Sequence, residues 1–401
     1  MIIVQENRSF NNLFMGYPGA TTSTYGYDTN NKKIILQPVP LEAPYGLEHD
    51  AAGFFTACNG TGSIPGTNCQ MNGFNRETVT CGSSCPVMHP QYVYVPLSET
   101  KPYWDLAKQY VLADQMYASD LDAASFVSHQ FIIAAQAEST VNTPYTQWGC
   151  KGGPTDTIAK IGPDRQFPYG KRIPACFNDN SIGQEADNAG VSWAFYASRI
   201  GGSGGIWSAY QANQYVYYGP DWNNDVITPQ TQFFSDVQNG KLRQISWVTP
   251  TAVNSDHPDF NSKTGPSWVA SLVNAIGQSK YWDSTAIFIL WDEYGGFFDP
   301  EPPAYVDYDG LGMRIPMLIV SAYAKKGYVS HVQYEHGSVL RFVEDVFGLG
   351  RLAASDTRAN SPADDSFDFN QPPRKFRMIR AMLGRSYFMH QTPDLRPPDD
   401  D

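Results

Sequence analysis

The chain has 401 residues, 42% hydrophobic and 14% aromatic; that is ample for a large core and excludes a globally disordered chain. Its formal net charge of −12 at pH 7 argues against a nucleic-acid partner, because phosphate backbones are held by Lys and Arg, and against strong attraction to anionic lipid. Membrane-surface contact is expected to be transient at most, and the protein a monomer.

In chain order, the first predicted element is a strand at Ile2–Gln5, a short apolar run. Residues 15–100 are rich in Gly, Asn, Thr, Tyr and Pro and hold four cysteines, which predicts a loop-rich excursion. A strand follows at Tyr110–Asp114. Ser125–Ala137 has apolar residues at helical spacing behind a serine, and is predicted as a helix. Residues 140–190 form a second loop-rich excursion with the last two cysteines. Strands are then predicted at Val191–Tyr196, Gln244–Val248, Ala286–Trp291 and Met317–Ser321, with helices at Pro266–Gln278 and Ser338–Phe347. Residues 391–401 are predicted to be a mobile tail. Continuous apolar strands alternating with helices predict an α/β fold around one mostly parallel sheet buried on both faces. Residues 1–390 are expected to form one domain.

The cysteines, Cys58, Cys69, Cys81, Cys85, Cys150 and Cys176, lie in polar loop sequence, the usage of disulfides in an oxidising compartment. Proximity along the chain pairs Cys58–Cys69, Cys81–Cys85 and Cys150–Cys176. A zinc cluster is the rival reading, weakened by the lack of any CxxC pair. A secreted or periplasmic location is therefore expected. No transmembrane or signal run is visible; the chain opens directly in Ile2-Ile3-Val4, from which a lost leader is expected.

Two strand ends carry oxygen ligands. Asp292 and Glu293 follow Ala286–Trp291, and Glu6 and Asn7 follow Ile2–Gln5. Sites in open parallel sheets lie beyond the carboxyl ends of strands, and adjacent buried carboxylates call for a cation. One divalent metal is predicted, Ca²⁺ first, with Mg²⁺, Mn²⁺ or oxygen-ligated Zn²⁺ as alternatives. Ser125 heads an apolar helix, where N–H groups and the dipole favour an anion; a helix-capping role is the plainer reading. His49, His257 and His336 sit among small polar residues, suited to holding phosphate oxygens or protonating a leaving group. His129 lies one turn after Ser125.

These residues fall in motifs that resemble the bacterial phosphoesterase family of non-specific phospholipases C and related acid phosphatases. QENRSFNNLFMGYPG, WDEYGGFFDPEPP, GMRIPMLIVSAYAKKGYV and YEHGSVLRFVEDVFGL are similar to four family segments. SFVSHQFIIAAQ lines up with the nucleophile segment and NSDHPDF with the EHP segment. The resemblance implies an alkaline-phosphatase-like three-layer sandwich. It implies a metal held by Glu6, Asn7, Asp292 and Glu293 with Ser125, and a phosphoserine at Ser125. It places His49, His257 and His336 around the phosphate or leaving group, and Asn7 and His129 on the substrate. The chain departs from the family at Tyr294, where a His is usual, and at Val127-Ser128-His129, where Pro-Asn-His or Pro-Asn-Arg is usual.

The function expected is hydrolysis of a phospholipid diester to diacylglycerol and a phosphorylated headgroup, with His257 or His336 as general acid. A phosphatase acting on small monoesters, through the same site, is the first alternative. A non-catalytic binding protein on the same fold is the second. A sulfatase is disfavoured because Ser125-Phe126-Val127-Ser128-His129 lacks the Cys/Ser-x-Pro-x-Arg context.

Overall fold

The computed structural model describes residues 1–166, 169–200, 205–260 and 262–392; the predicted tail falls outside these from residue 393 onward. At its centre is an eight-stranded sheet. Its strands are β1 (Ile2–Gln5), β2 (Val111–Ala113), β3 (Trp193–Tyr196), β4 (Val226–Ile227), β5 (Ile245–Val248), β6 (Ala286–Trp291), β7 (Met317–Ser321) and β8 (Tyr328–Ser330). Their order across the sheet is β4-β3-β5-β1-β6-β7-β2-β8. All neighbours are parallel except at β7, which runs antiparallel to both β6 and β2. All six predicted strands are present. The sequence reading missed β4 and β8, the two edge strands, of two and three residues. β7 is apolar from Met317 to Val320 and buried along its whole length like the parallel strands, so its direction leaves no trace in composition. An antiparallel neighbour also needs no crossover helix.

Helices cover both faces. α1 (Phe10–Phe14), α2 (Ala51–Cys58), α3 (Leu97–Gln109), α4 (Ser125–Ala134), α5 (Gly265–Gly277) and α6 (His336–Phe347) are the ones that matter for the site. Successive side chains on a strand point to opposite faces. On β6, Phe288 meets Phe342 of α6 at 5.0 Å between ring centroids, whereas Trp291 meets Tyr103 of α3 at 5.0 Å. The sheet is thus the middle of three layers, as expected. α4 ends three residues short of the prediction because Ala135 turns into the left-handed region at φ +57°.

The excursions are built of small sheets. Tyr25–Tyr27 pairs with Lys33–Ile35, and Tyr45–Leu47 with Val79–Cys81. Thr157–Lys160 lies between Thr140–Val141 and Arg172–Pro174. All three disulfides pair as predicted: Cys58–Cys69, Cys81–Cys85 and Cys150–Cys176. They staple the excursions that carry Val39, Tyr45, Leu47 and Val93 in one small apolar cluster and Ile158, Ala175 and Phe177 in another.

The long connection from β6 to β7 is anchored by a fully buried ion pair. Arg314 Nε donates to Asp299 Oδ1 at 2.8 Å and Nη2 to Asp299 Oδ2 at 3.2 Å, while Nη1 donates to the Asp114 carbonyl at 2.8 Å. Asp299 also accepts from the Asn11 N–H at the start of α1. Removing one partner of a buried pair strands the other charge. Asp299→Ala is expected to lower unfolding free energy by about 3–5 kcal/mol, read from urea denaturation; a loss near zero would show that this pair does not anchor the connection.

Candidate active site

Register brings the two acidic strand ends together. β1 and β6 pair in parallel with Gln5 opposite Trp291, so Glu6 emerges beside Asp292. The Asp292 N–H donates to the Gln5 carbonyl at 3.0 Å. The Asn7 N–H donates to Asp292 Oδ1 at 3.0 Å, and the Glu293 N–H donates to the same oxygen at 2.8 Å. Asn7 adopts φ +57° to make this turn, a conformation asparagine tolerates better than most residues.

Glu6, His129 and Asp292 form a buried cluster whose ligand atoms all lie within 4.8 Å of one another. His129 Nε2 is 3.1 Å from Glu6 Oε2 and 3.8 Å from Asp292 Oδ2. Burial pushes the His129 pKa down to about 4, against the pull of Asp292 and a hydrogen bond to the Trp207 backbone. Burial pushes Asp292 up, but His129, Glu6, the Asn7 N–H and the Ser125 hydroxyl together hold it below its ordinary 3.8. No Lys or Arg is among the groups that set its charge. A buried carboxylate pair with an imidazole nitrogen fits a divalent cation. Asn7 strengthens the fit: its Nδ2 is 3.1 Å from His49 Nε2, and its buried Oδ1 has no hydrogen-bond partner among the described residues.

The predicted residues separate into groups. Glu6, Asp292 and His129 converge, with Asn7 bonded to Asp292 and the Ser125 hydroxyl beside Asp292. His129, placed on the substrate by resemblance, lies among the ligand atoms. Glu293 turns elsewhere: Oε2 accepts from the Gly295 N–H, and Oε1 is 3.9 Å from His49 Nε2. His49 is held by the Leu47 carbonyl at Nδ1, 2.6 Å away, which leaves Nε2 as the acceptor toward Asn7. Ser125 is the first residue of α4 rather than its cap; Ala124 holds the cap position, and no side chain caps the helix.

The two candidate general acids differ. Both ring nitrogens of His336 face backbone: Ser119 N at 3.5 Å from Nδ1 and the Trp291 carbonyl at 3.3 Å from Nε2. Burial pushes its pKa down to about 4. It braces the end of β6 just before Asp292. His257 instead pairs through Nδ1 with Asp259, under the stacked ring of Trp207.

Sequence reading passed over Trp207, Asp259 and Asp120. Asp259 follows His257 by two residues, which was a usable signal; Trp207 lies in a Gly-rich stretch with no pattern to single it out. Asp120 is buried and its carboxyl raised well above 3.8, by burial first and then by Asp122, Asp309 and Asp292. Tyr294, where a His was expected from the resemblance, donates its hydroxyl to Glu77 Oε1 at 3.0 Å. Thus the departure is matched by a buried acid from the first excursion.

The model of the Phosphoesterase family matches residues 1–350. The chain is 24% identical to "Phospholipase C B" of Mycobacterium tuberculosis over 93% of this chain and 78% of that one. It is 23% identical to "Non-specific phospholipase C1" of Arabidopsis thaliana, over 87% and 66%. A shorter match, 30% identical over 41% of this chain and 29% of the other, is to a "Non-hemolytic phospholipase C" of Burkholderia pseudomallei. Among solved structures it is similar to a protein in the alkaline phosphatase superfamily from Vibrio parahaemolyticus, with 11% identity and a TM-score of 0.40, over 67% of this chain and 66% of that one.

Glu77 gives a pH test. Burial raises its pKa well above the ordinary 4.5, so the folded state binds a proton that the unfolded state releases, and stability falls as pH rises above about 4.5. Glu77→Gln removes that dependence. The melting-temperature difference between Glu77→Gln and wild type is expected to grow in the variant's favour from about pH 5 to pH 8; a difference that stays flat contradicts the buried-acid assignment.

Proposed function

The chain belongs to the Phosphoesterase family and hydrolyses phosphate esters, and from that premise we propose that it is a phospholipase C that uses Ser125 as nucleophile. The observation that carries this reading is the Ser125 hydroxyl beside Asp292 at the head of an uncapped helix, next to the Glu6–His129–Asp292 cluster. The phospholipase C names of relatives aligned along most of the chain support a lipid diester over a small monoester. We read residues 1–390 as one catalytic domain. Three disulfides support a secreted or periplasmic location, and among the described residues no helix is long and apolar enough to cross a membrane.

Glu6, Asp292 and His129, with Asn7 Oδ1, are the residues that would hold one divalent ion. When bound, that ion supplies Lewis-acid stabilisation of charge on the reacting oxygens. An imidazole nitrogen in the set suits Mn²⁺ or Zn²⁺ better than Ca²⁺, which takes oxygen ligands. The Ser125 hydroxyl loses its proton to solvent as its Oγ attacks phosphorus, and the Oγ–P bond forms as the bond to the glycerol oxygen breaks. N–H groups at the start of α4 face the charge that develops on the equatorial oxygens. His257, oriented by Asp259, gives its proton to the leaving glycerol oxygen. Water then cleaves the phosphoserine, releasing the phosphorylated headgroup.

Ser125→Ala is expected to cut turnover of dispersed phosphatidylcholine by at least about a thousandfold, with folding unchanged by circular dichroism. Full turnover in this variant would sink the nucleophile assignment. Elemental analysis is expected to find close to one divalent ion per wild-type chain, and His129→Ala together with Asp292→Asn to remove it; a metal-free protein that is fully active in chelator overturns the metal. His257→Ala is expected to lose about 10²–10⁴-fold on the lipid, but much less on a p-nitrophenyl diester, whose leaving group needs no proton. Equal losses on both substrates would rule out His257 as the general acid.

A further inference from the structure

The charge of this protein is unevenly placed. Between Asp368 and Asp394 there is no acidic residue, while Arg374, Lys375, Arg377, Arg380 and Arg385 fall within twelve positions. Lys375, Arg377, Arg380 and Arg385 are exposed, and Lys375 and Arg380 enter no ion pair among the described residues. Between and after them stand Met378, Met382, Tyr387 and Met389, exposed to 59%, 83%, 42% and 39%. One exposed apolar side chain is ordinary; four in a cationic stretch are not.

The stretch is held in place by its backbone. The Trp282 indole donates to the Arg374 carbonyl at 2.6 Å, and Asn274 of α5 bonds both ways with Ile379, at 2.9 and 2.8 Å. The Leu383 N–H donates to Ser267 Oγ, and Phe388 packs on Trp268. These partners step back along α5 from its C-terminal end to its N-terminal end. The ribbon ends where Asn254 Nδ2 donates to Gln391 Oε1 at 2.8 Å, three residues before His257. A groove of about 930 Å³ beside it is lined by Lys280, Arg380 and Arg385 among others. Residues 374–391 lie beyond the 1–350 matched by the family model.

We propose that this ribbon is a docking surface for an anionic phospholipid bilayer. Its cations sit against the headgroup phosphates and its Met and Tyr side chains enter the interface. The inference rests on the phospholipase reading and adds to it a surface that ends near the general acid. Two anchoring signals, charge and apolar insertion, are what stable membrane anchoring takes.

The test is co-sedimentation of the full chain with vesicles of phosphatidylcholine alone and of phosphatidylcholine with about 30% phosphatidylglycerol. Wild type is expected to bind only the latter, and to be released by about 0.5 M NaCl. Lys375→Glu/Arg377→Glu/Arg380→Glu is expected to weaken binding at least about a hundredfold while hydrolysing a soluble short-chain diester at the wild-type rate. Met382→Ser is expected to weaken binding severalfold and leave its salt dependence intact. Equal vesicle binding by the triple variant overturns the proposal. So does binding to heparin without binding to vesicles, or a wild-type dimer that the triple substitution dissolves. Vesicle binding without lipid hydrolysis would sink the phospholipase reading and leave the docking surface standing; hydrolysis of dispersed phospholipid without vesicle binding would do the reverse.

Discussion

The in-register parallel pairing of β1 with β6 is the constraint on which the site depends. Gln5 faces Trp291 across the ladder, so two separate chain segments release their acidic residues at the same height. A slip of one residue would flip every side chain of a strand to the opposite face. It would turn the side chains of β1 onto the wrong faces of a sheet packed on both sides and carry Glu6 away from Asp292. Both faces of these strands are buried under helices, so the core itself enforces the register. Fold stability and site geometry are the same requirement here.

That geometry gathers carboxylates away from bulk solvent. Glu6, Asp292 and Glu293 are each fully buried, and no Lys or Arg is among the groups that set the charge of Asp292. The protein offsets part of the cost with N–H donors: Asn7 and Glu293 to Asp292, and Gly295 to Glu293. Such bonds hold carboxylates ionised without neutralising them. Elsewhere the same fold meets a buried acid differently. Arg314 takes up Asp299 directly, and burial raises the Glu77 pKa well above its ordinary 4.5. The absence of an Arg at Asp292 is thus a choice of site rather than a general habit of the fold.

Much of this was legible in the sequence, for physical reasons that also mark where legibility stopped. The six buried strands announced themselves as apolar runs, since burial on both faces erases alternation. β4 and β8 at the edges did not, being too short to carry a pattern. The direction of β7 was invisible because burial is the same for either direction. Glu6, Asn7, Asp292 and Glu293 were marked by their position after strands. What each atom does was not: Glu293 turns back to Gly295, and His129 reaches Glu6 because α4 aims it there. The reading of Ser125 as a capping residue failed by one position, because Ala124 takes the cap without offering a side chain. Trp207 touches both His129 and His257 from a segment with no periodicity at all, so only tertiary structure reveals it.

The net charge of −12 shows how an average misleads. At physiological ionic strength exposed charges are screened beyond roughly 8 Å. A flat bilayer therefore responds to the face presented to it, and charges across a 401-residue chain scarcely enter. Along the ribbon the nearest acidic residues in sequence are Asp368 and Asp394, so its own charged side chains are all cations whatever the total. Its path along α5 to Asn254 also fixes an orientation. The Asn254 carbonyl accepts from Gln5 Nε2 at 3.2 Å, one residue before Glu6, so the ribbon's far end is tied to the strand that carries the site. An acidic body behind a basic contact strip would repel an anionic surface everywhere else, so the protein's overall charge works to select this one approach.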